Sequence, residues 1–184
     1  SHLGPVPHGS GDPYLPTLLS GGCNIRLDHF DTHHTLDVIE HEGLNFLFMV
    51  PTMVHAVVHD NGARGPDFSS LKCLLVAAAP IQDATALAAR EVFGDVLYQG
   101  YGQAEVLPVS MMNSAPWIAQ MAGSNPLRAC GLALPLSEVE SWAEDHNPVA
   151  TTEVSEVAAR EDGRMREIGQ KPEARDARRV AGGL

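Results

Sequence analysis

Three short apolar runs, each bounded by glycine, proline or alanine, dominate the hydrophobic pattern of this chain. Leu44-Asn45-Phe46-Leu47-Phe48-Met49-Val50 lies between Gly43 and Pro51, Leu71 to Val76 precedes an alanine-rich turn, and Val96-Leu97 opens onto Tyr98-Gln99-Gly100-Tyr101-Gly102-Gln103-Ala104-Glu105. Runs this short and with so little alternation predict buried parallel strands rather than half-exposed ones. Between the second and the third, Asp83-Ala84-Thr85-Ala86-Leu87-Ala88-Ala89-Arg90-Glu91-Val92-Phe93 reads as a helix that Gly94 closes. Strand, helix, strand is a βαβ unit. Its right-handed crossover would set Ala77 to Pro80 and Gly100 to Glu105 at neighbouring carboxyl ends of one parallel sheet.

The remaining pattern is weaker. Residues 1 to 13 are rich in proline and glycine and predict a loop, with Tyr14 to Leu19 opening a short helix that Gly21-Gly22 ends. Asn24-Ile25-Arg26-Leu27 alternates as a half-buried strand should. Asp31 or Thr32 can cap a helix through Thr35 to Glu40, whose Leu36 and Ile39 fall on one face. Thr52 is placed to cap another through Met53 to Val58. Asp60 to Asp67 is dense in turn formers. Beyond Glu105 the period is lost, and Pro108, Met111-Met112, Pro116 and Trp117 predict a loop covering the crevice.

Composition narrows the class. In 184 residues, 44% are hydrophobic, which suits a globular chain with a proper core. The formal charge of −11 belongs to residues 1 to 150, since the tail balances. An acidic body argues against nucleic acid or an anionic membrane as the main partner. Cys23, Cys73 and Cys130 are widely spaced, with neither a disulfide framework nor a zinc knuckle, and the cytoplasm is the expected compartment. No apolar run is long enough to span a bilayer and no signal-peptide pattern opens the chain. It begins abruptly, like a fragment.

Candidate chemistry concentrates in the octet Tyr98 to Glu105. Glycine lets a backbone approach a ligand closely, Tyr101 offers a flat face to a planar ring, and Glu105 is a hard oxygen donor of the kind Mg²⁺ takes beside phosphates. A glycine-rich strand exit followed by an acid also occurs as an ordinary turn. Asp28-His29-Phe30-Asp31-Thr32-His33-His34 is the densest set of possible metal ligands, yet a zinc site needs converging geometry that a strand-to-helix turn scatters, and helix capping is the simpler reading. Gly9-Ser10-Gly11 lacks the lysine and spacing of a phosphate loop and reads as a turn.

Several stretches carry a resemblance in order. The octet resembles the Tyr-Gly-x-Thr-Glu signature of the AMP-forming adenylating enzymes, the superfamily of acyl-CoA synthetases, luciferases and nonribosomal peptide adenylation domains, with Ala104 in place of threonine. Leu74-Leu75-Val76-Ala77-Ala78-Ala79-Pro80-Ile81 is similar to the family's strand ending in a small-small-small-Pro turn. Phe30-Asp31, Val50-Pro51-Thr52-Met53, Phe68-Ser69-Ser70-Leu71-Lys72 and Pro5-Val6-Pro7-His8-Gly9-Ser10-Gly11 fall in the family's order. A fainter similarity continues through Gly131-Leu132-Ala133-Leu134-Pro135, Val139-Glu140, Asn147-Pro148-Val149 and Met165 to Ala174. There, Leu136, His146, Thr152 and Ser155 replace expected glycines.

The resemblance implies a fold and a function. The fold is α/β: a mostly parallel sheet flanked by helices over residues 1–127, then a short β-rich segment over 128–184, both part of a larger AMP-binding domain. The function is a fragment of an ATP-dependent acyl-CoA synthetase, which joins a carboxylic or fatty acid to AMP and passes the acyl group to coenzyme A. By this resemblance Ala77, Ala78, Ala79, Pro80, Gly100, Tyr101, Gly102 and Ala104 face the nucleotide, Tyr101 stacking on adenine and Gly102 keeping the turn open. Glu105 is the catalytic holder of Mg²⁺, and His8 borders the carboxylate. The segment after Val50 contributes to the acyl pocket, where Met53 and Val57 read equally well as plain core. The family's phosphate loop would precede Ser1, and its ribose-holding aspartate and its lysine would follow Leu184. Ala104 also removes a hydroxyl from the α-phosphate site, and losing one such contact typically costs roughly a hundredfold in rate. The chain alone is therefore expected not to turn over. The alternative is a non-catalytic nucleotide- or partner-binding relative.

Overall fold

A computed structural model describes residues 11–119, 125–143, 145, 147–150, 153 and 155–160. These fall into two compact units, one of residues up to Gly100 with Met112–Cys130, the other of Tyr101–Met111 with residues from Gly131 on.

The first unit is built on the expected parallel strands. β1 (Phe46–Met49) pairs in parallel with β2 (Cys73–Val76), which pairs in parallel with β3 (Leu97–Gln103). Register sets Leu47 beside Leu74 and Leu74 beside Leu97, with Met49 beside Val76, so these residues share one sheet face. They form one apolar core with Leu36 and Ile39 of α2 (Thr32–His41), Val54 and Val57 of α3 (Pro51–Val58), and Ala86, Ala89 and Phe93 of α4 (Asp83–Phe93). Burying one such large side chain contributes roughly 1.5–3 kcal/mol. Leu47, Leu74 and Leu97 are wholly buried.

Local chemistry sets the helix ends. The Asp31 carboxylate accepts from the His34 N–H at 2.8 Å and caps α2, so this acid of the ligand-rich stretch serves the helix. Gly94 ends α4 at φ 78° and ψ −158°, and its N–H donates to the Arg90 carbonyl. α1 (Tyr14–Leu19) is short and buries none of its residues, and Gly21 follows it at φ 75°. A 3₁₀ turn, Asn61–Arg64, begins at Asp60, whose carboxylate accepts from the Gly62 N–H at 2.7 Å and the Thr32 hydroxyl at 2.9 Å. Those two bonds favour the charged form and hold the Asp60 carboxyl below its ordinary value.

Four expectations are corrected. Asn24 to Leu27 is no strand; Arg26 alone makes a bridge, because so short an alternation has no full partner among the described residues. Thr52 does not cap α3. Pro51 occupies the first turn instead, where its fixed φ and missing N–H are at no disadvantage, and Val50 takes the cap position. The strand out of Leu97 does not leave the sheet at its glycines but continues to Gln103. The stretch beyond Glu105 is β4 (Val106–Asn113) and then α5 (Ser114–Trp117), not a covering loop. Its residues alternate poorly because the register comes from strand neighbours rather than from an amphipathic face of its own.

The sheet order is β1-β2-β3-β4-β5, and it is mixed: β5 (Leu132–Ala133) is antiparallel to β4. In the second unit Gly131, at φ 113°, lets β5 begin against β4, since a Cβ there would lie 2.7 Å from the Met111 carbonyl carbon. The Ser137 hydroxyl donates to the Pro108 carbonyl at 3.1 Å. β6 (Glu138–Trp142) and β7 (Glu156–Arg160) form a separate antiparallel ribbon. Leu136, which stands where a glycine was expected, is not among the described residues at positive φ, so that replacement does not strain the backbone. His146, Thr152 and residues 165–174 lie outside the described residues.

Candidate functional site

β2 and β3 stop running side by side at the register Val76 to Gln99. The next residues, Ala77 and Gly100, thus leave the parallel pair at its carboxyl edge, the edge at which open α/β sheets bind ligands. A Cβ added to Gly100 would come 3.1 Å from Leu75 Cδ1 and 3.6 Å from the Ala77 Cβ. The missing side chain is therefore what lets Leu75 and Ala77 pack against the β3 backbone at this point. Ala77 is half-buried, whereas Ala78, Ala79 and Pro80 are exposed. Ala78 has φ 75°, a conformation that L residues adopt only under constraint.

Gln99 is buried in the β2–β3 edge, with Nε2 3.4 Å from the Gly100 carbonyl, and its Oε1 has no partner among the described residues. Neither Gln99 nor Leu75 stood out in the sequence as part of a site. The signal was there in period two: Gln99 follows Leu97 onto the core face, and Leu75 falls on the opposite face with Gly100.

The other half of the octet lies in the second unit. Tyr101 is half-buried, and its hydroxyl is 3.4 Å from Gln103 Nε2. Ala104 and Glu105 are the two residues of the turn between β3 and β4, Ala104 exposed and Glu105 half-buried. Gly102 has a packing reason of its own: the Leu107 side chain lies where its Cβ would be, and the Val106 carbonyl oxygen is 3.3 Å from that point. Its openness is used by the hairpin itself. His8 lies outside the described residues.

The chemistry of one residue suits the cation that the octet suggests: Glu105, half-buried in the turn between β3 and β4, brings a carboxylate of the hard-oxygen type that Mg²⁺ takes. Among the described residues no three His, Cys, Asp or Glu residues gather as a metal cluster. No helix among them is long and apolar enough to cross a membrane.

Residues 8–168 match the family model for AMP-binding enzymes. A feruloyl-CoA synthase from an Amycolatopsis species is 32% identical over 161 residues, covering 87% of this chain and 31% of that protein. A medium/long-chain-fatty-acid–CoA ligase of Mycobacterium tuberculosis is 27% identical over 158 residues, covering 83% of this chain and 26% of that protein. The solved amide bond synthetase from Marinactinospora thermotolerans superposes with a TM-score of 0.84 at 27% identity, over 97% of this chain and 36% of that one. The chain thus spans about a third of the length of the relatives it matches.

Proposed function

The chain belongs to the AMP-binding enzyme family, and from that premise we propose that it carries the nucleotide- and acyl-facing part of an ATP-dependent, AMP-forming acid–CoA ligase. The observation that carries this reading is the end of the parallel β2–β3 pair, where Ala77 and the side-chain-free Gly100 leave it at its carboxyl edge, followed in sequence by Tyr101 and Glu105. Ala77, Ala78, Ala79 and Pro80, with Gly100, Tyr101, Gly102 and Ala104, hold the nucleotide. Tyr101 takes the adenine face, and Glu105 holds Mg²⁺, which supplies charge neutralisation at the phosphates. His8 borders the carboxylate.

The chemistry is attack of a carboxylate oxygen on the α-phosphorus of ATP, with pyrophosphate leaving, followed by attack of the coenzyme A sulfur on the acyl carbon, with the thiol giving up its proton and AMP leaving. Catalysis of this kind is alignment and electrostatic stabilisation at phosphorus. The chain supplies the alignment half of that task. The substrate is a carboxylic acid, aromatic or aliphatic, in keeping with the ferulate and fatty-acid relatives. The protein is read as cytoplasmic.

Isothermal titration of the chain with ATP and AMP in Mg²⁺, beside Glu105→Ala, tests the site. The expected outcome is binding to the chain and at least tenfold weaker ATP binding to the variant, with circular dichroism showing both folded. A folded chain that binds neither nucleotide overturns the reading.

One observation favours a second reading, a non-catalytic relative that keeps the nucleotide site: Ala104 puts no hydroxyl in the turn before Glu105. Grafting this chain in place of the matching stretch of the feruloyl-CoA synthase separates the two. An active chimera supports the ligase. A folded but inert chimera that Ala104→Thr revives supports the non-catalytic relative.

A further inference from the structure

The nucleotide site leaves one constellation of the first unit unused. His55 and His59 stand one helical turn apart on the exposed side of α3, His59 at its C-terminal cap. Their rings lie 4.2 Å apart, centroid to centroid, at an interplanar angle of 34°. Residues four apart on a helix project from the same face, and two imidazoles so placed can reach one cation.

The inward nitrogens are already engaged. His59 Nδ1 is 2.8 Å from the His55 carbonyl oxygen. A carbonyl only accepts, so His59 Nδ1 carries the proton and the lone pair of the neutral ring sits on Nε2. His55 Nδ1 is 3.1 Å from the hydroxyl of Thr85, a buried residue of α4. That hydroxyl can accept, which lets His55 hold the same tautomer. Among the described residues neither Nε2 makes a hydrogen bond. A ring held through Nδ1 by a carbonyl or hydroxyl, with Nε2 open, is how histidine is prepared as a metal ligand.

We propose that His55 and His59 form a divalent transition-metal site on α3, taking a borderline cation such as Zn²⁺ through the two Nε2 atoms with water completing its shell. Borderline cations accept imidazole nitrogen, whereas Mg²⁺ demands oxygen, so the site is chemically distinct from the one assigned to Glu105. Its consequence is a clamp across the last turn of α3, since a ligand bound only by the folded form stabilises it increasingly as its concentration rises above the dissociation constant. It does not depend on the ligase reading.

Native-state hydrogen exchange of the full chain, with and without Zn²⁺, tests the site in wild type, His55→Gln, His59→Gln and a His33→Gln/His34→Gln control. The α3 amides are expected to slow at least threefold with Zn²⁺ in wild type and in the control, and to show no change in either single variant. Glutamine at 59 can still donate to the His55 carbonyl, and α4 amides report in every sample that the unit is folded. No slowing in wild type overturns the site. So does equal slowing in a single variant, or loss of the effect in the control.

Discussion

Ala78 is the one non-glycine residue at positive φ among the described residues, and it sits in the exposed turn that leaves β2. Left-handed backbone costs an L residue about 1–2 kcal/mol, which glycine avoids at the expense of a floppier unfolded chain. Ala78→Gly is therefore expected to change stability by no more than about 1 kcal/mol, whereas Ala78→Val, whose branched Cβ tolerates this region worst, loses about 1–3 kcal/mol in urea unfolding. If valine is harmless, the turn is not constrained as the structure shows. Cys73 lies close by on β2, and burial pushes its thiol from 9.0 up to about 11. That shift alone lowers the reactive thiolate at neutral pH about a hundredfold. Timed alkylation read by mass spectrometry should thus label the exposed Cys23 and Cys130 first and Cys73 last. Unfolding should erase the order. Residue chemistry in the octet was only partly legible from sequence: Gly100 and Gly102 look alike as letters, yet Leu75 and Ala77 of the parallel pair close on one and Leu107 of the following strand closes on the other. Cross-strand packing made that difference, and no local pattern encodes it.

At the scale of elements, α4 is the part most completely written in the sequence. Its helix runs from Asp83 to Phe93 and stops at Gly94, where φ 78° and ψ −158° fall in a region essentially reserved for glycine. No atom outside its neighbours lies within 4 Å of an added Cβ there, so a substitution at Gly94 tests backbone alone. Gly94→Ala is expected to cost about 1–3 kcal/mol with the native fold retained, measured by chemical denaturation. A neutral result would mean that α4 ends elsewhere. The parallel strands were legible for a related reason, because β1 and β2 are continuous apolar runs with punctuated ends. β4 was not. Pro108 and the paired Met111-Met112 carry no strand period, and the element exists through its neighbours, so a reading confined to local pattern turns it into a loop. α3 was misplaced by a residue or two at its start, where the preference of Pro51 for the first turn outweighed Thr52 as a cap.

On the scale of the whole molecule, the two units differ in how their apolar residues are used. In the first, Leu47, Leu74, Leu97, Val54 and Val57 are wholly buried in one core that the parallel strands share with the helices packed on them. In the second, Leu132, Leu136, Val139 and Val157 remain exposed, and β6 with β7 makes only a two-stranded ribbon, braced by Arg160 to Glu138 at 3.5 Å. An exposed ion pair of that kind adds little, and a lone ribbon is marginal in water. The order of family-like stretches made the whole fold legible where the core is dense, and the likeness faded after Cys130, where glycines are replaced and burial falls away. Local opening follows the same gradient, since segments with few buried contacts open at lower free energy than core strands. Native-state hydrogen exchange should therefore find the slowest amides in β1, β2 and α4, exchanging only through global unfolding. The amides of β6 and β7 should exchange at least a hundredfold faster, which corresponds to a gap of about 2.7 kcal/mol in opening free energy. Equal protection in the two would mean that the ribbon draws its stability from the same cooperative core. In that case substitution of its exposed valines would move the global unfolding transition, as substitution of the buried core leucines does.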